Sequence, residues 1–215
     1  MLRRFSGVLN PYILFIWLTK AAVWAFTAVA TMISVFVIGD LSVPPNYSNC
    51  SARDGGSTLT CEFRLTGQHA GLAVLTSYLL GEVIGGAIFP ALSDRVGRRK
   101  VLCSALFAFG AVGVGSAYAP HLYNYTLLRS LQGVFYMGSG IPAMILAYES
   151  IPLYLRSYTT MMFGMNWVVG YCAAAPLAYY FPDWRQLTVI ASAATMLYAV
   201  LLALYSRTVQ YTGHN

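Results

Sequence analysis

Acid and base residues gather most densely in the stretch Pro90-Ala91-Leu92-Ser93-Asp94-Arg95-Val96-Gly97-Arg98-Arg99-Lys100. A carboxylate flanked by guanidinium groups can be held by paired, charge-assisted hydrogen bonds. Gly97 admits a positive φ, so the backbone can reverse there within a few residues. Leu92, Asp94, Arg95, Gly97, Arg98 and Arg99 therefore read as a charged hairpin turn. An ordinary basic loop would call for neither an acid nor a glycine at set spacing. Glu149, Pro152 and Arg156 stand in a second pattern, E-x-x-P-x-x-x-R. Acid and base at a proline-broken helix end are suited to clamp a neighbouring turn, although a helix stopping at proline with a basic flank explains this pattern alone equally well. Asp94, Arg98 and Glu149 are expected to close into one charge cluster.

Three further ionisable residues, Lys20, Glu82 and Arg129, lie inside apolar runs. A charge centred in hydrocarbon costs about 2.5–3.5 kcal/mol on insertion scales, so each should serve an ion or solute path or find a partner. Glu82 lies about 18 Å along a helix from Asp94, near mid-membrane, and Lys20 roughly 10 Å inside the first run. Two readings stay open for Glu82: a group that meets a cation or proton, or half of a structural pair with Lys20 or Arg129. Arg129 can also snorkel outward past Tyr123. Gln132, Tyr136, Tyr148, Asn166, Trp167 and Tyr171 are polar or aromatic candidates for a cavity wall whose π faces suit organic cations. Packing is the competing reading for each. Ser77, Gly81 and Gly85 recur every fourth residue and read as a stripe for close helix approach. His69, His121 and His214 have no second ligand at metal spacing. No catalytic triad or phosphate loop is present, so no enzymatic activity, metal or cofactor is expected.

These groups must be positioned by helices in lipid. Of 215 residues, 58% are hydrophobic and 9% charged, against about 25% charged in soluble domains. A water-facing surface cannot be covered at that composition. The formal charge of +6 sits in breaks between apolar runs and not on one face, which excludes nucleic acid as the partner. Six runs approach the ~20 residues needed to cross a bilayer: Ile13–Ile38, Ala70–Leu92, Val101–Ala119, Tyr123–Ala147, Thr159–Phe181 and Leu187–Tyr205. Backbone groups in lipid must be satisfied within each segment, so the expected fold is an all-α, polytopic bundle of six transmembrane helices. Ala28-Val29-Ala30 imitates a signal cleavage site, but the apolar run continues to Ile38, beyond a signal h-region, so an uncleaved anchor is expected.

Arg3, Arg4 and the Arg95–Lys100 run place both termini on the cytoplasmic side by the positive-inside rule. The 40–69 loop is then extracellular. It carries Cys50 and Cys61, which can pair there, and sequons at Asn46 and Asn49. A third sequon at Asn124 abuts the membrane and is expected to stay unmodified. Cys103 and Cys172 lie in apolar runs and read as packing residues.

The Pro90–Lys100 stretch resembles the loop signature of the major facilitator superfamily, G-x-L-a-D-r-x-G-R-r/k, and Glu149–Arg156 resembles its E-x-x-P-x-x-x-R counterpart two spans later. Pro90 departs from the leading glycine, the position that in the family lets this helix approach the opposite half. Arg129-Ser130-Leu131-Gln132-Gly133 is similar to the R-x-x-q-G pattern of the fourth span. Asp183-Trp184-Arg185 and the loop with cysteines and sequons are similar to the organic cation, anion and carnitine transporter branch, which usually carries a longer loop. The resemblance implies that residues 1–205 are an N-terminal six-helix half, with 206–215 a cytoplasmic tail, in a plasma-membrane protein. It further implies alternating-access transport of small organic solutes, with substrate held at mid-bilayer between two halves. On that reading the chain is an incomplete or half transporter, pairing with a second half or a second copy. The alternative is a non-transporting partner that associates with full-length relatives.

Overall fold

The computed structural model describes residues 11–38, 68–150, 153, 156–181 and 183–212. Six long helices carry them: α1 (Pro11–Ile38), α2 (Gln68–Val96), α3 (Arg98–Ala117), α4 (Leu122–Glu149), α5 (Arg156–Tyr180) and α6 (Trp184–Thr212). Five, α2 through α6, are long and apolar enough to cross a membrane, and α1 contributes the shorter apolar stretch Trp17–Ile33 among the described residues. No strand occurs among the described residues. All six helices match the apolar runs, with two boundary differences. Helix α2 begins at Gln68, inside the 40–69 loop, and α6 runs on to Thr212 through most of the stretch read as a tail. Pro11 opens α1, where the missing N–H costs no hydrogen bond.

The chain reverses between α2 and α3 at Gly97 alone, with φ 105°. No atom lies within 4 Å of where its Cβ would stand. Glycine is required there by backbone conformation and not by crowding. The Gly97 N–H still donates to the Ser93 carbonyl at 3.0 Å, and the Val101 N–H donates to the Gly97 carbonyl at 3.2 Å, so the turn leaves little backbone unpaired.

Packing is uneven. The most extensive pairings are α2 with α4, α3 with α4, α3 with α6 and α1 with α5; α1 also meets α4 and α6. Exchanging α1 with α4, α2 with α5 and α3 with α6 returns these same pairings, the signature of a three-helix unit used twice, as in the nested repeats of major facilitator halves. Three apolar clusters fill the bundle among the described residues, the smallest joining Phe89, Val101 and Ala105; the other two are larger. One joins Ile33, Val74, Phe109, Tyr125, Trp184 and Leu187 at the Trp184 end. The other joins Val23, Leu102, Leu106, Ala143, Leu146 and Leu202 at the Gly97 end.

Helices α2 and α5 keep open faces: 28% and 17% of their apolar windows are buried, against 50% for α3 and α4. Leu80, Val83 and Ile84 of α2 and Met161, Met165 and Val169 of α5 are exposed. Apolar side chains cover this outer surface so widely that its natural solvent is lipid or a second bundle. Cys172 lies on the exposed side of α5, which corrects its reading as a packing residue; Cys103 is half-buried, and both are free thiols.

Candidate functional site

The Gly97 end carries the first group of charged residues. Arg98, at the start of α3, donates from Nη2 to Asp94 Oδ1 at 3.2 Å and from Nη1 to Glu149 Oε1. One guanidinium therefore ties the end of α2 to the end of α4. Asp94 is four residues before Arg98 across Gly97, so the single-residue turn is what brings carboxylate and guanidinium together. The side chains remain accessible, at 31% for Arg98, 64% for Asp94 and 55% for Glu149. Pairs this exposed contribute little stability; they set geometry. Ser93, Gly97 and Leu146 floor an open groove there, edged by Arg99 and Lys100. Leu92, Arg95 and Arg156 are exposed and join no ion pair among the described residues. Pro152 lies outside the described residues, as do Asn46, Asn49, Cys50 and Cys61.

The second group is internal. Arg129 is 1% exposed and Gln132 0%, so Arg129 does not snorkel to the surface. Its Nε donates to the Tyr125 hydroxyl at 3.1 Å and its Nη1 to Gln132 Oε1 at 2.7 Å. Its Cζ stands 5.6 Å from the Tyr125 ring centroid. Trp184 closes this chamber, edge-on to Tyr125 at 6.0 Å, with the Arg185 Cζ over the indole at 5.2 Å. The reason for a Trp-Arg pair at the start of α6 is thus visible: the indole caps the ring that holds Arg129. Gln132 is committed to Arg129, which removes it from the candidate cavity wall.

Glu82 lies elsewhere. It is half-buried on α2 and forms no ion pair among the described residues. This corrects both structural pairs considered from sequence. Arg129 bonds Tyr125 and Gln132 through Nε and Nη1, with its Nη2 buried and without a hydrogen-bond partner among the described residues, while the electrostatic neighbours of Lys20 are Cys103 and Arg99, on α3 toward the Gly97 end. The hydroxyl that reaches the Glu82 carboxylate belongs to Tyr78, one turn earlier on α2. Tyr78 also shares a hydrogen bond of 3.1 Å with Thr31 of α1, and Tyr136 of α4 lies within the field of the same carboxylate.

From Tyr136 a run of rings continues across the bundle. Tyr78 and Tyr136 centroids are 6.4 Å apart, Tyr136 and Trp167 5.9 Å, Trp167 and Trp24 6.0 Å, and Trp24 and Phe163 5.6 Å. Four helices, α2, α4, α5 and α1, thereby contribute to one aromatic surface that begins at a carboxylate. Tyr136, Trp167 and Trp24 are half-buried and offer part of their faces. Asn166 donates to the Met162 carbonyl at 2.9 Å, so its amide is partly used within α5. Tyr171 is 51% exposed and joins no ring contact among the described residues. Tyr148 pairs with Thr160 at 2.6 Å, linking α4 to α5.

Sequence reasoning missed Tyr78, Trp24 and Phe163. The signal for Tyr78 was its i, i+4 spacing to Glu82, which puts both on one side of a helix. Close packing fixes this arrangement. Gly81 and Gly85 of α2 and Gly133 of α4 each face the backbone of the other helix, so that a Cβ at Gly133 would stand against the Tyr78 carbonyl and 3.2 Å from the Glu82 nitrogen.

The arrangement has recognisable relatives. The family model described as "Sugar (and other) transporter" matches residues 23–214. B0252.3 of Caenorhabditis elegans, provisionally named as a transporter, is 37% identical over 143 residues, 66% of this chain and 30% of its own. Solute carrier family 22 member 6 of Rattus norvegicus is 33% identical over 138 residues, 63% of this chain and 25% of its own. Organic anion transporter 3 of the same species is 31% identical over 124 residues, 58% of this chain and 23% of its own. The chain thus spans under a third of the length of each relative in the matched stretch. A family match over most of the chain, and six helices arranged as half of the corresponding fold, together make this chain a multi-pass membrane protein of the sugar and other transporter family within the major facilitator superfamily.

Proposed function

We propose that the chain builds one six-helix half of a transporter that carries small organic solutes by alternating access, with solute held against the surface shared by α1, α2, α4 and α5. The observation that carries this reading is Glu82, a mid-helix carboxylate without a basic partner among the described residues, partly open and continuous with a run of aromatic rings. An ionisable group facing hydrocarbon is expensive. A group that stays unpaired and accessible is better accounted for by a water-filled cavity facing a second half. Transporter family membership and the names of the relatives support the class. The second half comes from further sequence of the same gene product or from a second copy, since halves of this kind are related by an axis along the membrane normal.

The basic Arg95–Lys100 run places the Gly97 end in the cytoplasm, and the 40–69 loop then faces outward at the plasma membrane. Uptake of labelled organic ions and neutral solutes into cells expressing the full gene product tests the reading, beside size-exclusion mass of the detergent-solubilised protein. Saturable uptake supports it, and a dimeric mass for the 215-residue chain alone assigns the second half to another copy. Absence of saturable uptake, with a stable complex formed on a full-length relative, overturns transport in favour of a regulatory partner.

A further inference from the structure

We infer that the chamber enclosed by α3, α4 and α6 holds a small inorganic anion of chloride's size against Arg129 and Gln132, as part of the folded structure and not as a transported solute. The first ground is an unbalanced charge. Arg129 is 1% exposed and joins no ion pair among the described residues. Its two bonded partners, the Tyr125 hydroxyl and Gln132 Oε1, are neutral. The Tyr125 ring face, 5.6 Å from the Arg129 Cζ, offsets part of the charge. A buried cation left otherwise alone is strongly destabilising, and its attraction for an anion is greatest where water is excluded.

The second ground is the donors. Arg129 Nη2 and Gln132 Nε2 are both buried and have no hydrogen-bond partner among the described residues. They belong to two groups already joined at 2.7 Å through Nη1 and Oε1, so they form one contiguous patch of N–H groups. A buried donor without an acceptor costs stability. Both unmet atoms are donors, which suits a ligand that only accepts. A water molecule would meet the N–H groups, but it brings two protons of its own and leaves the guanidinium charge uncompensated.

The third ground is what surrounds the patch. Gly113 of α3 lies beside it, and a Cβ there would overlap the Ser192 hydroxyl of α6 and stand 2.7 Å from Gln132 Nε2. The missing side chain lets the amide of α4 and the hydroxyl of α6 come together against bare α3 backbone. Ser192 is 1% exposed, and its hydroxyl can turn a proton toward the same anion. With Arg129, Gln132 and Ser192 all at 1% exposure or less, an organic carboxylate would have to bring its carbon skeleton inside, whereas chloride has none. Glutamate at 132 would supply the counter-charge from the chain itself. The sequence has the amide there, which leaves the charge to a ligand.

Thermal unfolding of the purified chain in detergent tests the site, with sodium chloride or sodium bromide replacing sodium gluconate at constant ionic strength. The wild type should gain about 3–5 °C at ten times the half-saturating chloride concentration, and bromide should act alike. Gln132→Glu should unfold in gluconate at least as high as the wild type does in saturating chloride, and should no longer respond to either halide. Arg129→Gln should unfold lower than the wild type and be equally unresponsive. If either variant does not fold, the other decides beside the wild type. Wild-type unfolding that is the same in gluconate and chloride overturns the site and assigns the donors to water. A halide response that survives both substitutions undiminished puts the anion elsewhere on the protein and overturns the site equally.

Discussion

Substituting Gly85 by alanine tests the close approach that sets the Glu82 surface. An added Cβ would strike the Val134 carbonyl oxygen of α4, with the Val134 Cα at 2.9 Å and its carbonyl carbon at 3.0 Å. All three are backbone atoms, so no side chain can swing aside. Restoring an ordinary carbon contact of about 3.5–4.0 Å pushes α4 back by roughly an ångström. Overpacking of this kind costs about 1–3 kcal/mol. Gly86, the next residue on the same helix, has nothing within 4 Å of the equivalent position. Both substitutions gain the same helix propensity, about 0.8–1.0 kcal/mol, so the difference between them isolates the steric term. Gly85→Ala should be about 1–3 kcal/mol less stable than Gly86→Ala, read as thermal unfolding of the two variants side by side in one detergent. Gly133→Ala should behave like Gly85→Ala, and the double variant should cost less than the sum, because one separation relieves both clashes. If Gly85→Ala proves as stable as Gly86→Ala, the α2–α4 contact is not as tight as described, and the position of Glu82 relative to Tyr136 loses its support.

Three further outcomes are expected. Gly97→Ala should cost about 1–3 kcal/mol from its φ of 105° and ψ of 127° alone, and Gly97→Asn as much, because those angles lie outside the left-handed helical region that asparagine tolerates; a Gly97→Asn variant clearly more stable than Gly97→Ala would refute that turn conformation. Arg129→Leu should destabilise the chain by about 1–3 kcal/mol for each acceptor left buried without its donor, namely Tyr125 and Gln132, whereas a snorkelled arginine would be replaced at little loss. Glycosidase treatment should increase gel mobility unless both Asn46 and Asn49 are changed to Gln, and non-reducing mapping should show a Cys50–Cys61 disulfide; a shift abolished only by Asn124→Gln would reverse the orientation. Asn124 lies in the first turn of α4, where the Thr126 hydroxyl already donates to the Leu122 carbonyl.

Helix class and number were legible because lipid removes the alternatives. Apolar runs of membrane-spanning length can satisfy their backbones only as helices, and Gly97 beside Asp94 and Arg98 marked the turn where two of them reverse. The pairing of Arg98 with Asp94 and Glu149 was equally readable: all three stand at helix ends on one side, and opposite charges at such ends meet once the helices are adjacent. What the interior polar groups do was another matter. Linear spacing along a helix gives depth and face but not which neighbour that face meets, so Glu82, Lys20 and Arg129 could be paired on paper in more than one way. Tertiary packing decided among them. The α3–α4–α6 contact encloses Arg129 and Gln132 behind Tyr125 and Trp184. The glycine-to-backbone contact of α2 with α4 turns Glu82 away from Arg129 and toward Tyr78 and Tyr136. The sequence by itself determined the helices, their turns and the charges at their ends, all of which follow from local chemistry and the bilayer. Only the tertiary structure decided which buried charge is enclosed and which is left open, because that depends on side chains from four helices meeting at distances no single helix encodes.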